Sequence, residues 1–457
     1  METTNQTRLT ILMFPWLAHG HIFPYLELAQ NLSKHNFQIY YCSTPINLNS
    51  IKTILATTST VGVPIRLIEL HLPSSPELPP DFHTTKNTPP NLMPKLHEAF
   101  HQSKPEFTTI ISSLKPDLLI YDCFQPWAAS IASSLRIPAV HFAVSAAAVY
   151  AYYFHLYTRR DSSPFPYDAI YLRGYEEKAF KRTIVAKKIE DDDQDRGFAH
   201  YTLSQEIVLI KTCRSLEDKY IDYLSLLSQK KQIIVGSLIT PTTNDDDDSS
   251  NHSMIMQWLS SKKRFSTVFI SVGSENYLSK NQMREIAKGL EISDVNFIWV
   301  MRFPRGERGE REEALPEGFL ERTRERGMIV EWAPQDKILA HSNIGAFVSH
   351  CGWNSTLESI HFGVPVIGIP FKIDQPLNAK LMVEVGVAVE IVRDENGDFS
   401  CEEFANAINK VVVGKNGEEM REKAAELSEK MRSEEETAIS EAARLLRRIC
   451  MERMQQN

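Results

Sequence analysis

The residues best suited to chemistry stand where apolar runs stop. Ile344 to Ser349 (IGAFVS) is followed directly by His350, Cys351, Gly352, Trp353, Asn354, Ser355 and Thr356, then by Leu357, Glu358, Ser359 and Ile360. That order reads as a buried strand, a tight turn and the first turns of a helix. The leading N–H groups of a helix have no partner inside it, so a strand delivered onto such a terminus makes an anion site. Asn354, Ser355 and Thr356 crowd the terminus with small polar groups, and the local chemistry is that of a phosphate site. Near the start of the chain, the apolar run Leu9–Phe14 leads into the loop Pro15–His21 (PWLAHGH), which offers His19 and His21. A third run, Pro116–Tyr121, ends on Asp122. Ligands of open α/β sheets lie just beyond the C-terminal ends of the strands. A histidine base and an acid therefore share one crevice if these two strands are neighbours, which the pattern alone does not establish.

Positioning these residues takes alternating strands and helices. Pro24–His35 has helical apolar spacing at Tyr25, Leu28, Ala29 and Leu32, and Phe37–Cys42 is the next strand, so the chain opens with a βαβ unit. No GxGxxG falls in its first turn, which argues against a nicotinamide oxidoreductase. A helix and a strand (65–70), a Pro-rich surface loop (73–94) and a helix (96–114) follow, and strands are expected at 207–211 and 233–235. The apolar stretch Ala139–Tyr157 is barely long enough to span a bilayer and contains His141, Ser145 and His155; it reads as a strand feeding a buried helix. Residues 158–200, with Asp191–Asp193 at their centre, suit a mobile surface segment. Residues 240–253 (TPTTNDDDDSSNHS) cannot bury apolar area and read as a linker. Beyond it the pattern restarts, with strands at 267–272, 296–301, 328–331 and 344–349, helices at 280–291, 377–385 and 401–412, a charged loop at 302–313, and one or two amphipathic helices over 418–454. Both halves are thus doubly wound α/β.

Composition sets outer bounds. A chain of 457 residues is too long for one core and suggests two domains. The balance of 50 basic and 58 acidic residues gives a net charge of −8, which does not fit a nucleic-acid partner. The six cysteines are scattered with no CxxC pair, so reduced thiols in a cytoplasmic protein are expected rather than a zinc site or disulfides. The polar segment Met1–Thr10 carries no signal-peptide pattern, and no membrane segment is expected.

The stretch Trp332–Gln375 resembles the signature box of plant family 1 UDP-dependent glycosyltransferases. WAPQ (332–335), HCGWNS (350–355), Glu358, GVP (363–365) and DQ (374–375) all match, as do SVGS (271–274), GLE (289–291), FIWV (297–300) and the GH of 20–21. The family more often has Phe where Val272 stands. The resemblance implies a GT-B type fold, two Rossmann-like domains facing across a cleft. It implies a UDP site made by Ser274, Trp332, Ala333, Gln335, His350, Asn354, Ser355 and Glu358, with Trp332 stacked on uracil and Glu358 on the ribose hydroxyls. Trp353, Asp374 and Gln375 correspond to the residues that hold the donor sugar, and the final Gln accompanies glucose. His21 corresponds to the catalytic base and Asp122 to the acid that orients it; His19, off the motif position, ranks second.

These correspondences predict an inverting UDP-glucosyltransferase with UDP-glucose as co-substrate, no cofactor and no metal. Trp16, Phe124, Phe142 and Ser145 are candidates for an acceptor pocket, although core packing explains such residues equally well. The WLAHGHIFPYLELA opening and DQPLN at 374–378 resemble the branch-forming subgroup, which adds a sugar to a sugar of an existing flavonoid or triterpenoid glycoside. A direct aglycone glucosyltransferase and a non-catalytic nucleotide-sugar-binding protein are the alternatives. The expected organisation is an acceptor domain at 1–239, the linker at 240–253, a donor domain at 254–435 and a C-terminal helix at 436–457 packing back on the first domain, in a monomer.

Overall fold

Six residues of continuous apolar character, LTILMF, form the strand β1 (Leu9–Phe14) and are almost wholly buried. Such runs belong to parallel strands covered on both faces, and that is their setting here. The computed structural model describes residues 8–57, 62–158, 163–180, 198–239, 250–303 and 311–456. The first sheet contains β1, β2 (Phe37–Ser43), β3 (Arg66–Glu69), β4 (Leu118–Tyr121), β5 (Ala139–Ala143), β6 (Ile207–Ile210) and β7 (Lys231–Ile234), in the order β3-β2-β1-β4-β5-β6-β7. The second contains β8 (Thr267–Ser271), β9 (Asn296–Val300), β10 (Gly327–Val330), β11 (Ile344–Ser349), β12 (Val366–Gly368) and β13 (Ala388–Glu390), in the order β10-β9-β8-β11-β12-β13. Every neighbouring pair is parallel, as two doubly wound Rossmann-like sheets require.

Strand order decides where the chemistry goes. The order reverses between β1 and β4 in the first sheet, and between β8 and β11 in the second. At such switch points the following loops diverge and leave a crevice. β1 pairs with β4 in register Phe14↔Tyr121, so the loop carrying His21 and the residue Asp122 leave neighbouring strands on the same side. β8 pairs with β11 in register Ser271↔Ser349, which brings Ser274 and His350 out together.

The chain forms two compact units, Met1–Ala147 with Asp195–Leu238 and Ser433–Asn457, and Ala148–Gln194 with Ile239–Arg432. This differs from a first domain running unbroken over 1–239. Residues 148–180 join the second unit because their charges are met there: Arg173 Nη2 donates to Glu390 at 2.8 Å, and Lys380 Nζ donates to Glu176 at 3.0 Å. The C-terminal residues form a single helix, Lys415–Gln456. Ile439, Ala442, Leu446 and Ile449 on it are buried in the core of the first unit with Leu9, Phe37 and Ile233.

Helix Ser250–Ser260 starts inside the stretch expected to be a linker to 253, and residues 240–249 lie outside the described structure. So do Asp191–Asp193 and residues 304–310 of the charged loop. The helix expected over 96–114 is two, Met93–Gln102 and Lys104–Leu114. Among the described residues no helix is long and apolar enough to cross a membrane, and Ala139–Tyr157 is β5 followed by the helix Ala147–Thr158.

Candidate active site

The helix after β1 runs from His19 to Lys34, starting five residues before the apolar spacing begins. Polar His19 and His21 and small Gly20 hide its first turn from a hydrophobic pattern. That turn aims His21 at Asp122: Nδ1 lies 2.7 Å from Oδ2, with the His21 side chain 19% exposed and Asp122 1%. Burial on its own would raise the Asp122 carboxyl, but the charge and hydrogen bond of His21, helped by His141 and Cys123, outweigh it and hold the carboxyl below its ordinary value. A carboxylate accepting from Nδ1–H leaves Nε2 as the acceptor, which is the tautomer a general base needs. His19 differs. Burial, with Lys86 adding to it, pushes its imidazole down to about 4, its ring packs against Phe23 at 4.8 Å, and among the described residues it pairs with no carboxylate.

An aromatic wall stands beside this couple. Trp16 packs against both His97 (4.4 Å) and Phe124 (5.0 Å), whose rings also lie 5.8 Å from each other, and Phe124 meets the His21 ring edge-on at 5.4 Å. His97, on the helix Met93–Gln102, had no signal in the sequence, since nothing in its neighbourhood marks a ring against Trp16. Phe142 does not belong to an acceptor pocket. It lies within β5, fully buried, against Tyr25 at 4.9 Å in the core. Ser145 is on the short turn between β5 and the helix Ala147–Thr158, where the Ala147 N–H donates to the buried Glu217 carboxylate at 3.0 Å.

The second switch point is built around His350. Its ring is wedged between two glycines. A Cβ on Gly273 would lie 2.6 Å from the ring and one on Gly352 would lie 2.4 Å from Nε2, and Gly273 has φ +79° besides. Burial, with lesser contributions from Lys372 and Arg302, pushes the imidazole down to about 4, so it is neutral. Its Nδ1 is buried and has no hydrogen-bond partner among the described residues. Such an atom costs free energy unless a ligand meets it. Cys351, buried with φ +63°, makes the turn. Gly352 then opens the helix Trp353–His361 with no side-chain cap, and a helix N-terminus delivered from a strand in this way favours an anion. Across the same helix, Gln335 Nε2 donates to Glu358 Oε2 at 2.6 Å and to Ser355 Oγ at 3.2 Å. Trp332 is 57% exposed, an unusual state for an indole, and His252 stacks on one of its faces at 4.5 Å.

Downstream, residues 371–375 make a closed loop. Gln375, 6% exposed, accepts at Oε1 from the N–H groups of Phe371 (2.9 Å) and Lys372 (3.1 Å). Asp374 accepts at Oδ2 from Asn378 at 3.1 Å. Among the described residues, no group of three His, Cys, Asp or Glu side chains is placed to hold a metal.

Comparison with known proteins agrees with this geometry. Residues 245–433 match the family described as UDP-glucoronosyl and UDP-glucosyl transferase, and residues 7–240 match the glycosyltransferase N-terminal domain. The chain belongs to the UDP-glycosyltransferases. A beta-D-glucosyl crocetin beta-1,6-glucosyltransferase of Gardenia jasminoides is 46% identical over 97% of this chain and 99% of its own length. A mogroside IIIx synthase of Siraitia grosvenorii is 49% identical over 96% and 98%. The crystal structure of a UGT transferase from Siraitia grosvenorii in complex with UDP is 26% identical, with a TM-score of 0.77 over 96% of this chain and 100% of that one.

For this UDP-glycosyltransferase, three of the expected donor contacts take a narrower form. The Ala333 methyl packs in a core cluster with Ile338, Leu339 and Phe347, so only its main chain can meet a nucleoside. Trp353 is 3% exposed, so little of its side chain is open to a sugar. A glutamine amide can both donate and accept, but the acceptor end of Gln375 is taken by its own loop, which leaves the Nε2 donors.

Proposed function

We propose that this UDP-glycosyltransferase moves glucose from UDP-glucose to a sugar hydroxyl of a small, largely apolar glycoside, with inversion at the anomeric carbon. The observation that carries the catalytic reading is the 2.7 Å His21–Asp122 couple at the first switch point. A protein that only bound nucleotide sugars would have no use for an oriented base. In the reaction, His21 Nε2 takes the acceptor hydroxyl proton while Asp122 balances the imidazolium charge. The acceptor oxygen bonds to C1 of glucose, the C1–O bond to the diphosphate breaks, and UDP leaves with the electron pair.

The second unit supplies the groups for the leaving UDP. The N–H groups opening the helix Trp353–His361, with Ser355, Asn354, Ser274 and the neutral His350 ring, suit a diphosphate whose charge grows in the transition state. Glu358 suits the ribose hydroxyls and Trp332 the uracil face. Asp374 accepts from sugar hydroxyls, and Gln375 donates to them. With charge stabilised in this way, the proposed reaction uses no metal, so EDTA leaves turnover unchanged.

The glycoside reading is supported by the names of the two relatives, a glucosyltransferase of glucosyl crocetin and a mogroside synthase. The stacked Trp16 and Phe124 beside His21 suit an apolar acceptor body. The uncombined thiols and the absence of a spanning helix among the described residues suit a cytoplasmic monomer. The test is a mass-spectrometric screen with UDP-glucose in which aglycones and their glucosides compete in one mixture. Mass gains of one hexose on the glucosides are expected. Products from aglycones alone would replace this reading with direct aglycone glucosylation.

A further inference from the structure

We infer that Tyr153 positions the donor-sugar loop, and that Tyr153, Glu176 and Phe180 together act as a clamp on the donor side of the reaction. This rests on the reading of Asp374 and Gln375 as sugar-holding residues. The Tyr153 phenol donates to the main-chain carbonyl of Ile373 at 2.9 Å. Ile373 is the residue immediately before Asp374. It has φ +57°, a left-handed conformation that a β-branched residue adopts only under constraint, and its side chain is 55% exposed, so core packing does not impose that conformation.

The rest of the loop is held from within. Gln375 accepts from Phe371 and Lys372, and Gln375 N donates back to Lys372 O at 3.2 Å. Ile373 is the apex of that loop, and the phenol of Tyr153 fixes its carbonyl from outside. Tyr153 is itself immobilised by face-to-face stacking on Phe180, with ring centroids 4.1 Å apart and planes 3° from parallel. Burial and the neighbouring Asp374 both raise the phenol pKa well above its ordinary value, which keeps it a donor at any working pH. The same segment also grips the far side of the following helix, Gln375–Glu384, through Glu176 and Lys380 at 3.0 Å. The residue before this element and the middle of its helix are therefore both held by side chains of this segment, Tyr153 and Glu176.

Rotating the 373–374 peptide would turn the Asp374 carboxylate relative to the Gln375 amide and alter the hydroxyl pattern they recognise together. Tyr153 is accordingly a positioning residue that acts through Asp374. Its hydrogen bond is to Ile373 and its stacking is on Phe180, neither of them assigned to uracil or diphosphate, so its loss should spare UDP binding, which the loss of a general structural role would not. The experiment is Tyr153→Phe, measured beside Asp374→Asn in the full-length enzyme. Calorimetry gives the Kd for UDP, and steady-state kinetics give KM and kcat for UDP-glucose and for its C4 epimer UDP-galactose.

In Tyr153→Phe, the UDP Kd is expected to stay within twofold of wild type. KM for UDP-glucose should rise about three- to tenfold, the factor set by one lost hydrogen bond, and the preference for glucose over galactose should fall by a similar factor. Phe180→Ala, which frees the ring without removing the hydroxyl, should give a smaller change in the same direction. If Asp374→Asn impairs UDP-glucose use while Tyr153→Phe leaves KM and donor preference unchanged, the clamp is refuted and the donor site stands. If Tyr153→Phe weakens UDP and UDP-glucose equally, the tyrosine is merely structural and the inference also fails. If Asp374→Asn itself has no effect on UDP-glucose, both readings fall together.

Discussion

Asp122→Asn isolates the catalytic couple with the least disturbance of shape. The carboxylate is 1% exposed and accepts from His21 Nδ1 at 2.7 Å. An asparagine of the same outline can turn its amide toward the ring and donate to Nδ1. The proton then sits on Nε2, and the nitrogen that should accept the acceptor's proton no longer can. Losing a positioned general base costs about 10²- to 10⁴-fold in rate, or about 3–5 kcal/mol of barrier. The stability cost is smaller, about 1–3 kcal/mol, because a buried group loses a charge-assisted hydrogen bond but keeps its volume. The assay pairs kcat with UDP affinity. Turnover should fall at least a hundredfold while the UDP Kd stays unchanged, since every group assigned to UDP lies in the second unit. The pH response follows from the depressed Asp122 carboxyl. A lowered folded-state value means that its contribution is fully present above the ordinary carboxylate range and is lost only as the pH falls through the folded value. A loss of wild-type activity between pH 5 and 7 is therefore not a titration of Asp122. An Asp122→Asn enzyme within threefold of wild-type kcat would refute the base assignment.

Other consequences are equally direct. Trp332→Ala should weaken UDP by about 1–3 kcal/mol, the range for base–aromatic stacking, and leave acceptor KM unchanged; equal loss with UDP and with inorganic diphosphate would contradict the uracil contact. Gly273→Ala puts a methyl 2.6 Å from the His350 ring at φ +79°, so it should reduce UDP affinity by tenfold or more with little change in acceptor binding. His141 and His350 both have imidazoles pushed by burial from 6.5 to about 4. The unfolded chain therefore binds more protons than the folded one between about pH 6.5 and 4, and stability falls as the pH drops through that window, by up to about 3 kcal/mol for each. Urea midpoints from pH 7 to 4 measure this, and a flat profile contradicts it. Glu176→Gln removes the buried carboxylate that faces Lys380 and Arg173, and should cost about 3–5 kcal/mol, read as a lower Tm that UDP only partly restores.

The strand, turn and helix that frame the proposed donor site were legible because they are contiguous. Strand, turn and helix follow one another from Ile344 to His361, so the residues that meet in space also meet in sequence. His21 and Asp122 are 101 positions apart, and their meeting depends on β1 lying beside β4, a fact of strand order that apolar runs do not encode. The strands Val366–Gly368 and Ala388–Glu390 escaped notice because three residues carry no measurable period. The grouping of residues 148–158 and 163–180 with the second unit was hidden for a similar reason. What attaches them is Arg173 to Glu390, Glu176 to Lys380 and Tyr153 to a carbonyl, all between residues more than 200 positions apart. In sequence, each of those charges looks like a solvated face.

The side chains of Asp374 and Gln375 carry this point furthest. Adjacent in sequence, they invite the reading of two equivalent hands on a sugar. In the fold one hand is already occupied, because Gln375 Oε1 accepts two main-chain N–H groups. What is left is an acceptor at 374 beside a donor at 375, a directional pair that can tell one arrangement of hydroxyls from its epimer. Exchanging them as Asp374→Gln with Gln375→Asp would fail twice over. The carboxylate at 375 could still receive the two N–H groups, but it has no donor for the sugar, and the amide at 374 adds a donor where an acceptor is needed. Under the proposed reading, donor discrimination depends on the main chain of residues 371–373 as much as on Asp374 and Gln375 themselves, and the same backbone is where Tyr153 attaches.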